Sequence, residues 1–158
     1  MGVDYRLAQN QAQRYYTTAF HLRSVTFPLV KDYKLLMGVL QNIFNSIELA
    51  MGALLSYERE LQLVPSYYDD FQSKFNTFRY RCMRRNNISP DFAVAIMELK
   101  EILDLQKRTP MQFQRGNRLV LTDKNYQLKV ISVQDIDSFL LKNKQFLEVI
   151  NHAIRLKH

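Results

Sequence analysis

The stretch Leu35–Leu55, LLMGVLQNIFNSIELAMGALL, decides the fold. Within and beside it Leu36, Val39, Leu40, Ile43, Phe44, Ile47, Ala50, Met51, Leu54 and Leu55 recur at steps of three and four, the period of a helix face. The band is wider than one stripe, so the helix that carries it is central and meets neighbours on two sides. Upstream, Thr26 and Pro28 mark its expected start, because proline is tolerated in a first helical turn where its missing N–H is not needed. Downstream it extends to about Gln62, ahead of Pro65. At about 1.5 Å per residue such a helix reaches roughly 50 Å. It either kinks or extends past the helices around it.

The same spacing organises the flanks. Ala8, Ala12, Tyr15, Ala19 and Leu22 predict a first helix over 4–23. Ser66 with Asp69 makes a capping-box-like start for a third, carrying Tyr68, Phe71, Phe75, Phe78 and Cys82. Ser89 and Pro90 open a fourth, with Phe92, Ile96, Leu99, Leu103 and Gln106 inward, ending before Pro110. Between Pro110 and Ile131 the period falls to two. Leu119 and Leu121 alternate before Asp123-Lys124-Asn125, and Tyr126, Leu128 and Val130 after it, which predicts a two-stranded hairpin over about 117–131. A lone hairpin is marginal, so it must lean on the helices or on a second copy. Ser132 and Asp135 then cap a last helix through Ile136, Leu140, Leu147, Ile150 and Ile154. The expected fold is mainly α: a five-helix, mostly antiparallel bundle with a long central helix and a small β-hairpin before the last helix, forming a single domain over 1–158.

Composition agrees with a helical class and removes several chemistries. The 158 residues are 47% hydrophobic, enough for a sizeable core, and hold only 4 Gly and 4 Pro, too few for an all-β chain with many tight turns. Cys82 is the one cysteine, so neither an intramolecular disulfide nor a cysteine-based metal site can form. That usage, an N-terminus without a basic start and apolar core, and no apolar run near the ~20 residues that span a bilayer lead to the expectation of a soluble, cytoplasmic protein without membrane association. His21, His152 and His158 are scattered and fit no metal-binding motif, so no metal is expected. Gly2, Gly38, Gly52 and Gly116 stand far apart and build no phosphate loop; no cofactor is expected.

Charge is the remaining signal. The formal net charge is +7, and all but one of the excess positive charges lie in segments 61–90 and 110–132. Such asymmetry can mark an anionic partner, RNA being the commonest. The first segment ends in FRYRCMRRNN (Phe78–Asn87), with four arginines. At roughly 100° per residue Arg81 and Arg84 project away from the apolar face, while Arg79 and Arg85 flank it. A helix opening with Asp69 and Asp70 and closing with arginines satisfies its dipole. That plain reading requires one or two bases rather than four, and arginine suits bidentate contact with phosphate. Arg81, Arg84, Arg85, Arg118, Lys124 and Lys129 are therefore candidate nucleic-acid-binding residues, with Tyr80 and Tyr126 available to stack on bases. Cys82 falls on the apolar face, as a small core residue.

Three further features bear on association and catalysis. Gly38 and Gly52 fall in the polar stripe of the central helix, where a second backbone could approach closely, and Asn143 interrupts the apolar stripe of the last helix, where it fixes packing register or meets another chain. These three are candidate interface residues of a homodimer. Arg14 and His21 lie seven apart on the first helix, about two turns and ~10 Å along one side. An arginine that binds phosphate beside a histidine that moves a proton is the equipment of metal-independent RNA cleavage; a solvated polar face is the plain alternative.

RYYTTAFH (Arg14–His21) also matches the spacing of the catalytic pair in the HEPN superfamily, and the basic bundle with a long central helix resembles that family's layout. Its members are helical proteins of bacteria and archaea that often dimerise and include ribonucleases. The resemblance implies a catalytic role for Arg14 and His21. It departs from the family pattern in placing the pair on the first helix and in Tyr15 following the arginine. TPMQFQRGNRLVLTDKNYQLKVIS (109–132) looks like segments of uncharacterised archaeal helical proteins, which implies a source and no activity. The leading expectation is a non-catalytic, homodimeric binding module for RNA or another polyanion. A HEPN-like ribonuclease and a protein scaffold that binds no nucleic acid are the alternatives.

Overall fold

The structure, a computed structural model, describes residues 4–108, 111–116, 118–123, 125 and 127–156. It is mainly helical, with five helical rods and a small antiparallel sheet before the last. The first rod begins at Asp4, whose carboxylate accepts from the N–H of Arg6 (3.0 Å) and of Leu7 (3.4 Å), opening α1 (Tyr5–His21). It passes through a π-helical turn (Leu22–Thr26) into α2 (Phe27–Val30). Pro28 thus ends the first rod instead of starting the second. A proline ring crowds the preceding turn and cannot donate to it; the turn before it is a wide one, in which the Phe27 N–H reaches back to the Leu22 carbonyl. The chain breaks at Lys31, whose φ of 54° is left-handed, and Asp32 then accepts from the Lys34 N–H at 3.0 Å to open α3 (Lys34–Glu60). With 27 residues α3 is about 40 Å long, shorter than the ~50 Å expected from a start at Thr26.

The third rod also starts later than its sequence signal. Asp70 caps it, accepting from the Ser73 N–H at 2.8 Å, while the Ser73 hydroxyl accepts from the Tyr68 N–H at 2.9 Å. Ser66 and Asp69 are engaged elsewhere, the first by Arg59 and the second by Lys74 at 2.7 Å. That hydrogen-bonded ammonium holds the Asp69 carboxyl below its ordinary pKa. From the cap run α4 (Phe71–Thr77), a second π-helical turn (Phe78–Cys82) and α5 (Met83–Arg85). α6 (Asp91–Arg108) follows Ser89, whose hydroxyl accepts from the Asp91 N–H at 3.3 Å. α7 (Val133–Leu156) opens with the expected reciprocal box, Ser132 N–H to Asp135 at 2.8 Å and Asp135 N–H to the Ser132 hydroxyl at 3.1 Å.

One apolar cluster draws on all five rods and the sheet, and α3 runs through it. α1 faces α3 with Ala8, Ala12 and Ala19, and these small residues let the two backbones approach. At that seam the Ser46 hydroxyl donates to the Ala12 carbonyl at 2.7 Å and accepts from the Asn143 amide at 2.9 Å. Asn143 is 0% exposed. It therefore ties α7 to α3 and α1 within one chain and is not a surface for a second copy, which corrects its place among the interface candidates. Its Oδ1 has no hydrogen-bond partner among the described residues.

The sheet has three strands where two were expected: β1 (Met111–Arg115), β2 (Arg118–Thr122) and β3 (Leu128–Ser132), antiparallel in that order. β1, an edge strand, has a weak sequence signal because MQFQR carries only two apolar residues. Leu119 pairs with Ile131 and Leu121 with Lys129, and this face turns to the helices. The alternating Leu128 and Val130 lie on the opposite face and are exposed. Lys129 is thus an inward-facing charge on an edge strand, a placement that discourages further strand pairing at β3. Among the described residues no helix is long and apolar enough to cross a membrane.

Candidate functional site

The second π-helical turn shapes the site. Its widened backbone, with the Met83 N–H bonded back to the Phe78 carbonyl, keeps Phe78 and Cys82 in the core and leaves Arg79, Tyr80 and Arg81 exposed. Such single-turn insertions recur at functional sites. Beside it α6 runs past with Val94, Met97, Glu98 and Glu101 on one face, and between the two lies an open cleft of about 940 Å³. Arg79, Tyr80 and Arg84 form one wall and Glu98 and Glu101 the other; Met83, Ile88 and Ala93 lie at the base. Lys129 of β3 also lines the cleft. It borders two smaller concavities of about 340 and 270 Å³, one shared with Glu98 and the other with Glu101.

Bases from the two distant positive segments therefore share one surface. Arg84 and Lys129, both expected, line the cleft, and Arg79, which sequence geometry left on the margin of the apolar face, joins them. The Arg79 guanidinium lies 5.6 Å from the centre of the Tyr80 ring, which is 64% exposed. Among the described residues Arg79, Arg84, Glu98 and Glu101 take part in no ion pair.

Other expected residues lie elsewhere. Arg81 is exposed on the same turn as Tyr80 but does not line the cleft. Arg85 does not line the cleft: it pairs with Glu58, which is 0% exposed, and also donates to the Leu63 carbonyl at 2.8 Å. The Asn86 amide donates to the second Glu58 oxygen at 2.8 Å. Glu58 continues the buried side of the central helix, and a carboxylate in that position requires a partner; this was the available signal. Arg118 is exposed at the start of β2, opposite Arg115 and Ser132, outside the cleft. Lys124 and Tyr126 lie outside the described residues. Glu98 and Glu101 had no sequence signal that separates them from the other acids of α6.

Arg14 and His21 are both exposed on α1, and neither borders the cleft. Cys82 is fully buried. Among the described residues no three His, Cys, Asp or Glu side chains gather as a metal site. At Gly38 and Gly52 an added Cβ meets nothing within 4 Å, so packing inside the chain does not call for glycine at either position. Gly38→Ala and Gly52→Ala are each expected to raise stability by about 1 kcal/mol in urea denaturation, through helix propensity. A fall in stability that depends on protein concentration would place a second chain on that stripe.

Compared with protein-family models, curated proteins and solved structures, the chain matches none.

Proposed function

We propose that this protein is a non-catalytic binding module for single-stranded RNA. The supporting observation is that Arg79, Tyr80 and Arg84 of the third rod and Lys129 of the sheet border the same open cleft. Guanidinium groups suit phosphate oxygens, and an exposed tyrosine supplies a face on which a base stacks. Arg81, exposed on the adjoining turn, extends the positive surface beyond the cleft. The helix dipole accounts for one or two bases at the end of the third rod and not for a lysine arriving from a separate element.

Titration of a labelled single-stranded RNA, followed by fluorescence anisotropy, tests the reading. Affinity is expected to fall steeply between 50 and 200 mM salt. Arg79→Ala and Arg84→Ala should each weaken binding about tenfold and lower the salt slope by about one. Unchanged binding in an Arg79→Ala, Arg84→Ala, Lys129→Ala triple variant would remove the cleft from consideration. The RNA is expected to remain intact on a gel. Breakdown in EDTA that disappears in His21→Ala would instead favour the ribonuclease alternative.

A further inference from the structure

We infer that Glu98 and Glu101 make the cleft a reader of guanine within the single strand, an assignment that rests on the RNA reading above. A surface built only to hold phosphates gains nothing from carboxylates on its facing wall, because like charge repels the ligand. Here two of them, three residues apart on one face of a rigid helix, border the same cavity as Arg79 and Arg84, and none of the four is ion-paired among the described residues. The ligand must then be anionic along one side and hydrogen-donating along the other.

An ionised carboxylate only accepts hydrogen bonds. In single-stranded RNA every ribose 2′-hydroxyl can donate, but the donors that distinguish one base from another lie on the base edges, which unstacked strands expose. Guanine presents two adjacent donors, N1–H and the 2-amino group, whose spacing matches the two oxygens of one carboxylate. Cytosine and adenine present one amino group beside an acceptor nitrogen. Uracil presents a single N–H between two carbonyls, which a carboxylate repels. The rest of the cleft suits a base as well: Tyr80 offers its ring at the rim, and Val94 and Met97 offer apolar surface beside the acids. The cavity of about 940 Å³ falls at the upper end of the roughly 300–1,000 Å³ of small-ligand pockets, room for a base and its flanking sugar-phosphates.

The test compares three labelled pentamers, UUGUU, UUUUU and UUIUU, at 50 mM salt. Inosine keeps N1–H and lacks only the 2-amino group. The wild type is expected to bind UUGUU at least tenfold more tightly than UUUUU, with UUIUU between them. Glu98→Gln with Glu101→Gln should abolish that preference, chiefly by raising affinity for UUUUU, without changing the circular dichroism spectrum. Equal affinity for the three pentamers, or an equal gain for all three in the double variant, would overturn the guanine assignment while leaving RNA binding intact. Binding to none of them would overturn both.

Discussion

Arg85→Ala is expected to destabilise the protein by about 3 kcal/mol or more, lowering its melting temperature by roughly 10 °C. Glu58 projects from the central helix into full burial, where its charge is met by the Arg85 guanidinium and an Asn86 amide hydrogen. Removing the guanidinium takes the Arg85 charge away from a fully buried carboxylate, and that penalty exceeds the net worth of the pair itself. Arg85→Lys should recover part of the loss, since it restores the charge but not the fork that also reaches the Leu63 carbonyl. A Glu58→Leu, Arg85→Met double variant should lie closer to wild type than either single change, because it removes both charges together. Urea denaturation checks all of these. A loss below about 1 kcal/mol for Arg85→Ala would show that the pair is not desolvated in the folded protein. The outcome bears on binding too, because Arg85 anchors the end of the rod that carries Arg84 to the cleft.

Phe146→Ala should cost about 3 to 5 kcal/mol. The ring is 0% exposed on α7; it packs edge-on against Phe78, centroids 5.7 Å apart, and at a tilt against Phe92, centroids 5.5 Å apart. Phe78 belongs to the π-helical turn of one cleft wall and Phe92 to the first turn of α6, the other. Phe146 thus supports both walls from behind, and its removal leaves a cavity that three separate elements would have to close together. Phe146→Leu keeps most of the volume and should cost only about 1 to 1.5 kcal/mol. The same melts, with RNA affinity measured well below the transition, separate loss of packing from loss of the cleft. An Ala variant as stable as wild type would place the centre of the core elsewhere.

Much of the bundle is legible in the chain because helix signals are local. The three-and-four spacing of Leu36 through Leu55, the Ser132–Asp135 box and the Ser89-Pro90 opening each involve residues within a turn or two of one another. The misplaced boundaries have a common cause. Thr26-Pro28 and Ser66–Asp69 are valid start signals, but a neighbouring residue competed better for the same role: Lys31 took the break, and Asp70 took the cap. β1 was hidden because the alternation in MQFQR rests on only two apolar residues, Met111 and Phe113, too short a run to mark a strand.

The amino-acid sequence by itself determined a mainly helical chain around one long apolar helix, with a short β segment ahead of the last rod and positive charge concentrated in two stretches. Only the tertiary structure decided what the charges do. Arg79, Arg84 and Lys129 border one cleft, whereas Arg85, beside Arg84 in sequence, turns inward to Glu58, and Asn143 closes a seam inside the chain. Periodicity reports which way a residue faces on its own element. Which partner it meets depends on through-space competition among elements distant in sequence, and that competition is settled only once the helices have packed.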